Sequence, residues 1–152
     1  MKLESTAFQN RATIPEHYTC YGKNVSPPLQ WSDIPPDAQE LALICLDPDA
    51  PQERPFVHWV AYHIPTDVKA LDEDAGHSAH RRFVQGENSA GETHYMGPKP
   101  PAHTGNHRYY FKLFALNAPV HVRGGATADE LQVAMQGHVI AEAETMGRHA
   151  YH

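Results

Sequence analysis

The chain has 152 residues, of which 12 are basic, 18 acidic and 12 histidine, for a formal net charge of −6 with neutral histidines. This length predicts one domain, residues 1–152, with enough core to fold without a disulfide or a metal. An acidic chain with no Lys/Arg run is unsuited to nucleic acid, whose phosphates dominate protein affinity. No apolar run reaches the roughly 20 residues of a membrane span, and the N-terminus lacks a secretory signal pattern, so we expect a cytoplasmic protein.

The secondary-structure patterns found up to residue 122 are those of strands. The candidates, in chain order, are Leu3–Phe8 (weak), Leu41–Leu46, Phe56–Ile64, His107–Leu116 and Val120–Val122 (weak). The continuous apolar run of the second candidate is typical of a strand that is buried on both faces. The third and fourth candidates are rich in aromatic residues, as strands often are.

Alternation with a period of two orients the polar side chains of these later strands. His58 shares a face with Phe56 and Val60, and a half-buried imidazole there needs a partner for each nitrogen. The aspartates upstream of His58 are the partners that the spacing permits, and such a contact would favour the charged imidazolium. His107 and Tyr109 share a face of their own strand.

The clear helix pattern starts late in the chain. Thr127-Ala128-Asp129-Glu130 is a capping box, and Leu131, Met135 and Val139 follow as an apolar stripe spaced by four. Gly137 interrupts the run, so the pattern is consistent either with one helix or with two short helices. Strands therefore dominate. The pattern predicts a mainly β chain, a sandwich with proline-rich loops gathered at one end and short helices near the C-terminus.

Two segments, taken together with His58, indicate a small polar pocket. In Asp47-Pro48-Asp49-Ala50-Pro51, two aspartates bracket a proline just after a strand. Aspartate and proline are common turn residues, so this pattern taken alone favours a turn. The segment from Gly97 to Tyr109 is a glycine- and proline-rich loop that runs into a strand. Its glycines allow backbone to approach a ligand closely, and His107 carries a polar tip on a mostly apolar ring.

These motifs resemble the phosphatidylethanolamine-binding protein family, which includes the Raf kinase inhibitor proteins. The resemblance is carried by Asp-Pro-Asp-Ala-Pro with His-Trp after it, and by Gly-x-x-Pro-Pro with Gly-x-His-Arg-Tyr after it. Segments within residues 14–31 and 137–144 are similar to the bacterial and archaeal branch. The resemblance implies a β-sandwich of antiparallel strands with an anion pocket at one end.

The resemblance also implies a ligand-binding site, with no catalytic residue, metal or cofactor. Its members would be Asp47, Asp49, Pro51, Phe56, His58, Gly97, Pro101, His107 and Tyr109. We expect the two histidines to donate to phosphate oxygens, one aspartate to keep His58 charged, and the other to accept from an ammonium group. The expected ligand is a phosphate or phosphoethanolamine-type headgroup, bound more weakly as pH rises. Regulation of a kinase or another enzyme through protein contacts is implied too, and a homodimer stays open.

Two other functions remain open from the residues alone. A hydrolase could use the same aspartates and histidines for acid–base work, although no Gly-x-Ser-x-Gly elbow occurs and Ser26 has no evident base. A metal-dependent enzyme could place Asp49, His58 and His107 around an ion. The remaining histidines of interest are expected to be exposed loop and tail residues: His77, His80, His149 and His152.

Cysteine, proline and lysine add three local expectations. Cys45 lies in an apolar run and is expected to be a buried thiol, with a disulfide to Cys20 left open. The Arg54–Pro55 bond is a candidate for the cis isomer, which is essentially confined to proline. Lys99, at the rim of the expected pocket, could add positive charge for a phosphate.

Overall fold

The computed structural model describes residues 1–78 and 81–151 and consists mainly of β-strands. The elements are β1 Lys2–Glu4, β2 Leu29–Ser32, β3 Glu40–Asp47, β4 Phe56–Ile64, β5 Ala70–Leu71, β6 Val84–Gln85, β7 His107–Leu116, α1 Ala128–Met135 and β8 Val139–His149, with short 3₁₀ helices at Glu16–Tyr18 and Ala75–His77. The strands form two antiparallel sheets, in the orders β1-β2-β5 and β6-β4-β3-β7-β8. This architecture confirms the predicted fold class.

The central strands β3 and β4 of the five-stranded sheet are covered on both faces. On one face, Leu43 and Trp59 pack in a cluster that includes Trp31 of the smaller sheet. On the other face, Ile44 packs in a second cluster with Leu131 of α1. Because β3 is covered on both sides, its side chains are apolar without alternation, as the continuous run predicted.

A β-bulge in β4 changes the face on which His58 lies. At this point two residues of β3 lie opposite three of β4, and His58 is the extra residue. Regular alternation placed His58 with Val60, which packs toward α1. Instead, the His58 ring lies 5.2 Å from the ring of Tyr109, which belongs to the cluster between the two sheets. The prediction for this face is therefore wrong, because a bulge breaks the period of two.

Helix α1 begins at the predicted capping box and then gives way to a strand. The Thr127 hydroxyl accepts from the Glu130 N–H at 3.2 Å, and the Glu130 carboxylate accepts from the Thr127 N–H at 3.2 Å. One helix ends at Met135, and Gly137 turns the chain with a φ of +80°. Val139 begins β8, so the expectation that it extends a helical stripe is wrong.

The smaller expectations have mixed outcomes. Val120–Val122 is not a strand, whereas Cys45 is a buried thiol whose pKa is raised by burial, and it forms no disulfide with Cys20. All peptide bonds of the described residues are trans, Arg54–Pro55 included. Across residues 1–78 and 81–151, no helix has the length and apolar character needed to cross a bilayer.

Candidate functional site

The ends of three neighbouring strands bring candidate residues together at one edge of the larger sheet. Asp47 ends β3 and pairs in register with Phe56, the first residue of β4. His107 begins β7, the other neighbour of β3, and Tyr109 follows two residues later. Because neighbouring strands run antiparallel, the last residue of β3 lies beside the first residues of both neighbours. His58 joins this group through the bulge in β4.

Asp47 and His107 form a buried pair at the centre of the site. Asp47 Oδ2 lies 2.7 Å from His107 Nδ1, and each side chain is only 4% exposed. On the other side of the ring, Nε2 lies 3.0 Å from the Thr104 hydroxyl, which donates to the Pro101 carbonyl at 2.7 Å. Both ring nitrogens of His107 therefore have a polar partner, the Asp47 carboxylate on one side and the Thr104 hydroxyl on the other.

His58 has a backbone partner, so the prediction that an upstream aspartate binds it is wrong. Its Nδ1 lies 2.7 Å from the Met96 carbonyl and donates to it. Burial lowers the pKa of His58 from 6.5 to about 4, although the bond to Met96 opposes this shift. Near neutral pH, His58 is therefore a neutral imidazole with Nε2 as an acceptor, not the imidazolium that we expected.

One polar atom of this site, the hydroxyl of Tyr109, has no hydrogen-bond partner within residues 1–78 and 81–151, whereas the His58 ring also interacts with the Gly97 backbone. Every polar side-chain atom of this part of the chain that is sealed from solvent does have a partner. The Tyr109 hydroxyl must therefore reach an opening, although Tyr109 is only 1% exposed. The Phe56 ring, 4.8 Å from the His58 ring, forms an apolar wall. Burial raises the pKa of Tyr109, which keeps its hydroxyl protonated and able to donate.

Asp49 is bound to Arg108. Its carboxylate accepts from Arg108 Nε and Nη2 at 2.9 Å each, and also from the Arg108 backbone N–H at 2.9 Å. These bonds hold the pKa of Asp49 below its usual range. Asp47 is likewise engaged, with His107. The expectation that one aspartate is free for an ammonium group is therefore wrong, because both carboxylates already have side-chain partners, His107 and Arg108.

Residues 18–24 form a wall behind the loop that contains Gly97. The Gly97 N–H donates to Asn24 Oδ1 at 2.7 Å, and the Cys20 thiol donates to the Gly97 carbonyl at 3.2 Å. A Cβ at Gly97 would lie 2.6 Å from Asn24 Oδ1 and closer still to the Tyr18 carbonyl, so glycine is required here. Asn24 and Cys20 were not predicted as members of the site. They lie 73 and 77 positions from Gly97, and no local pattern indicates contacts of that range.

The other predicted members lie toward the surface. Pro51, Lys99 and Pro101 are exposed, whereas Gly97 is buried. Within residues 1–78 and 81–151, no three His, Cys, Asp or Glu side chains are arranged to hold a metal ion. The three-ligand arrangement considered above also fails for Asp49, since its carboxylate is engaged with arginine.

The histidines outside the pocket differ from one another. His149 ends β8 and is buried, with Nδ1 3.1 Å from the Ile14 carbonyl. The expectation of an exposed tail residue is wrong here, because β8 pairs with β7 as far as His107, the first residue of β7. His77 is exposed, as expected. His80 and His152 lie outside the described residues.

The fold and the site together define a class of protein: an antiparallel β-sandwich with a small pocket of histidine, tyrosine and phenylalanine at the edge of its larger sheet. Residues 4–150 match the family described as phosphatidylethanolamine-binding protein. The chain belongs to this family, as the motifs predicted.

Bacterial and archaeal relatives support the predicted branch. The chain is 45% identical over 150 residues to a UPF0098 protein of Methanothermobacter thermautotrophicus, with 97% of each chain covered. It is 43% identical over 151 residues to a UPF0098 protein of Chlamydia muridarum, again with 97% of each covered.

Two solved structures have the same fold. One, from Chlamydia trachomatis, is described as a phosphatidylethanolamine-binding protein homologue. It has a TM-score of 0.91 and 41% identity, and the match covers 99% of this chain and 97% of that one. The other, from E. coli, is described as a new member of the mammalian PEBP family. It has a TM-score of 0.93 and 27% identity, with 99% and 98% covered.

Proposed function

We propose that this protein binds a small phosphate-bearing ligand in the pocket at His58, His107 and Tyr109, and that it does so without chemical turnover. The observation that carries the proposal is the open hydroxyl of Tyr109, which lies beside the neutral His58 ring. Buried polar groups are normally hydrogen-bonded, so an open one in an otherwise satisfied site favours a polar ligand. The rings of His58 and Tyr109 are 5.2 Å apart, so both can contact one small group.

The charges of the site indicate how a phosphate would be bound. The Asp47 carboxylate lies 2.7 Å from His107, so this pair offers little net attraction to an anion. A phosphate monoanion suits the pocket best, because its own hydroxyl can donate to His58 Nε2 while another oxygen accepts from Tyr109. A dianion would instead require His58 to take up a proton. Protonation of His58 and affinity for phosphate are therefore coupled.

Isothermal titration calorimetry with three ligands tests the proposal. Inorganic phosphate, phosphoethanolamine and short-chain phosphatidylethanolamine distinguish free phosphate from a headgroup and from a lipid. We expect His58→Gln and Tyr109→Phe to weaken binding about tenfold or more, each through loss of one polar contact. His121→Gln, at an exposed histidine, is the matched control and should bind as the wild type does.

The outcomes separate clearly. The pocket is supported if binding is weaker in His58→Gln and in Tyr109→Phe but unchanged in His121→Gln. If no ligand binds in the roughly millimolar range, or if all four proteins bind equally, the proposal is wrong. The headgroup amine has no assigned acceptor, since Asp47 and Asp49 are engaged. A preference for phosphoethanolamine over phosphate would then point to a contact outside these residues.

A hydrolase is the second candidate, on one observation. Thr104, His107 and Asp47 stand in the order hydroxyl, imidazole, carboxylate, with separations of 3.0 and 2.7 Å. Hydrolases use this order to remove a proton from a hydroxyl nucleophile. Here the Thr104 hydroxyl donates to Pro101 instead, which leaves no proton for the ring to remove. Hydrolysis of an ester panel that disappears in Thr104→Val would overturn the proposal of binding alone.

The wider role stays a prediction. A cytoplasmic location, contacts with a kinase or another enzyme, and a homodimer rest on composition and on resemblance to the family. Light scattering behind a size-exclusion column would determine the oligomeric state directly.

A further inference from the structure

A second cleft lies on the other face of the β7–β8 pair. Its volume is about 480 Å³, and its walls include Asn10, Arg11, Arg108, Tyr110, Glu144 and Arg148. Successive residues of a strand point to opposite sides of a sheet. His107 therefore belongs to the pocket, whereas the next residue, Arg108, lines the cleft. The cleft is separate from the site of the proposed function.

Three arginines converge here from separate parts of the chain. Arg108 of β7 and Arg148 of β8 lie directly opposite each other in register. Arg11 comes from a loop that is bound to β8, where its N–H donates to the Met146 carbonyl and the Arg148 N–H donates to the Ala12 carbonyl. Arg11 has a φ of +73°, a left-handed conformation that is uncommon for a residue other than glycine. Backbone hydrogen bonds therefore hold these like charges together.

Two of the three guanidinium groups have no compensating charge. Arg108 is matched by Asp49. Arg11 and Arg148 form no ion pair within residues 1–78 and 81–151. Arg148 lies opposite Arg108, whose charge is matched by Asp49, so the charges left in the cleft are those of Arg11 and Arg148 with the carboxylate of Glu144. A cleft with an excess of positive charge on a chain with a net charge of −6 indicates a place for an anion.

We propose that this cleft binds a small oxyanion with two or more negative charges. Guanidinium groups present paired donors that match the oxygens of phosphate or carboxylate. The Tyr110 hydroxyl accepts from Arg108 Nη1 at 3.3 Å and keeps its own proton to donate. Glu144 also lines the cleft and repels an anion, so Arg11 and Arg148 supply the attraction. Phosphate-type and polycarboxylate ligands share this chemistry.

A titration at low salt tests this proposal, with NMR of the backbone amides as the readout. Pyrophosphate and citrate are the two probes, added separately, because they distinguish a phosphate source from a carboxylate source. Arg11→Gln/Arg148→Gln removes the two open charges and retains most of each aliphatic stem. Arg81→Gln/Arg82→Gln removes the same amount of charge from residues that do not line the cleft. His58→Gln reports on the first pocket, and Arg108 is left intact because it holds Asp49.

We expect saturable shifts at residues 10–12 and 146–148 with at least one probe. Affinity should fall about tenfold or more in Arg11→Gln/Arg148→Gln and should remain within about twofold in the other two variants. An equal loss in Arg81→Gln/Arg82→Gln would show diffuse attraction and overturn the proposal. A loss of affinity confined to His58→Gln would assign the anion to the first pocket and overturn the proposal. Absence of saturation at about 10 mM of either probe would overturn it as well.

Discussion

Asp47 and His107, 60 positions apart in the sequence, meet at 2.7 Å in the centre of the pocket. Each side chain is 4% exposed, and the ring also contacts Thr104. A buried pair of this kind is costly to break, because the partner that remains is left as an unpaired buried charge. Pocket geometry and the stability of the strand ends are therefore linked through one contact.

Removal of the carboxylate should destabilise the fold. We expect Asp47→Ala to lower the free energy of unfolding by about 3–5 kcal/mol, as measured by chemical denaturation. Asp67→Ala is the matched control, since Asp67 forms an exposed pair with Arg82 and should change the free energy of unfolding far less. Equal effects of the two substitutions would contradict the assignment of a buried ion pair.

His58 should make stability fall as pH falls. Its pKa is about 4 in the folded chain, against an ordinary value of 6.5. Above the ordinary value, neither state binds the proton. Between these two values, only the unfolded state binds it, so stability decreases and then levels off below about pH 4. The loss of stability across this pH range totals about 3 kcal/mol.

The matched variant is His58→Gln, which cannot take up this proton. Denaturation curves at a series of pH values should show a shallower acid loss of stability in the variant than in the wild type. The other histidines titrate in both proteins, so the difference between the two curves is the relevant quantity. Parallel curves would show that His58 is not held neutral.

Phosphate affinity should fall as pH rises. A bound phosphate dianion raises the pKa of His58 above its unliganded value of about 4, because its charge favours the protonated ring. Affinity is then greatest below about pH 4, falls as pH rises toward the pKa of the complex, and is constant above it. Calorimetry across this range, with the titration of phosphate itself taken into account, measures the slope. His58→Gln should remove the part of the slope that belongs to the protein.

Gly97→Ala should disturb the pocket wall. The added methyl group would meet the Tyr18 carbonyl and Asn24 Oδ1, both of which belong to a packed segment. Overpacking of this kind typically costs about 1–3 kcal/mol. Gly124→Ala is the control, because a Cβ there meets nothing within 4 Å. A smaller loss of stability in Gly97→Ala than in Gly124→Ala would contradict the close approach.

Arg108→Gln should return the pKa of Asp49 toward its usual range. The arginine supplies the hydrogen bonds that lower it. Carboxyl ¹³C shifts followed during an acid titration measure the change. Stability should change by about 1 kcal/mol or less, since the pair is largely exposed. An unchanged titration of Asp49 would show that Arg108 is not its partner in solution.

The positions of the three long strands β3, β4 and β7 followed closely from local patterns, whereas the short strands β2, β5 and β6 were not predicted. Phe56–Ile64 and His107–Leu116 have the predicted bounds, and Leu41–Leu46 is extended by one residue at each end. The central strand β3 is apolar because both of its faces are covered. Strand β8 was not predicted, because its alternation of alanine and glutamate carries little apolar signal and the preceding helix pattern runs into it.

The sequence by itself determined the family, the antiparallel β class, the capping box at Thr127 and the residue types of the pocket. These are encoded in short motifs and in periodicity, which act locally. Only the tertiary structure decided that Asp47 binds His107 and that His58 binds the backbone. These contacts depend on one unpaired residue in β4 and on which strands lie side by side. No pattern of neighbouring residues records either feature, because the bulge and the strand order arise from packing between distant parts of the chain.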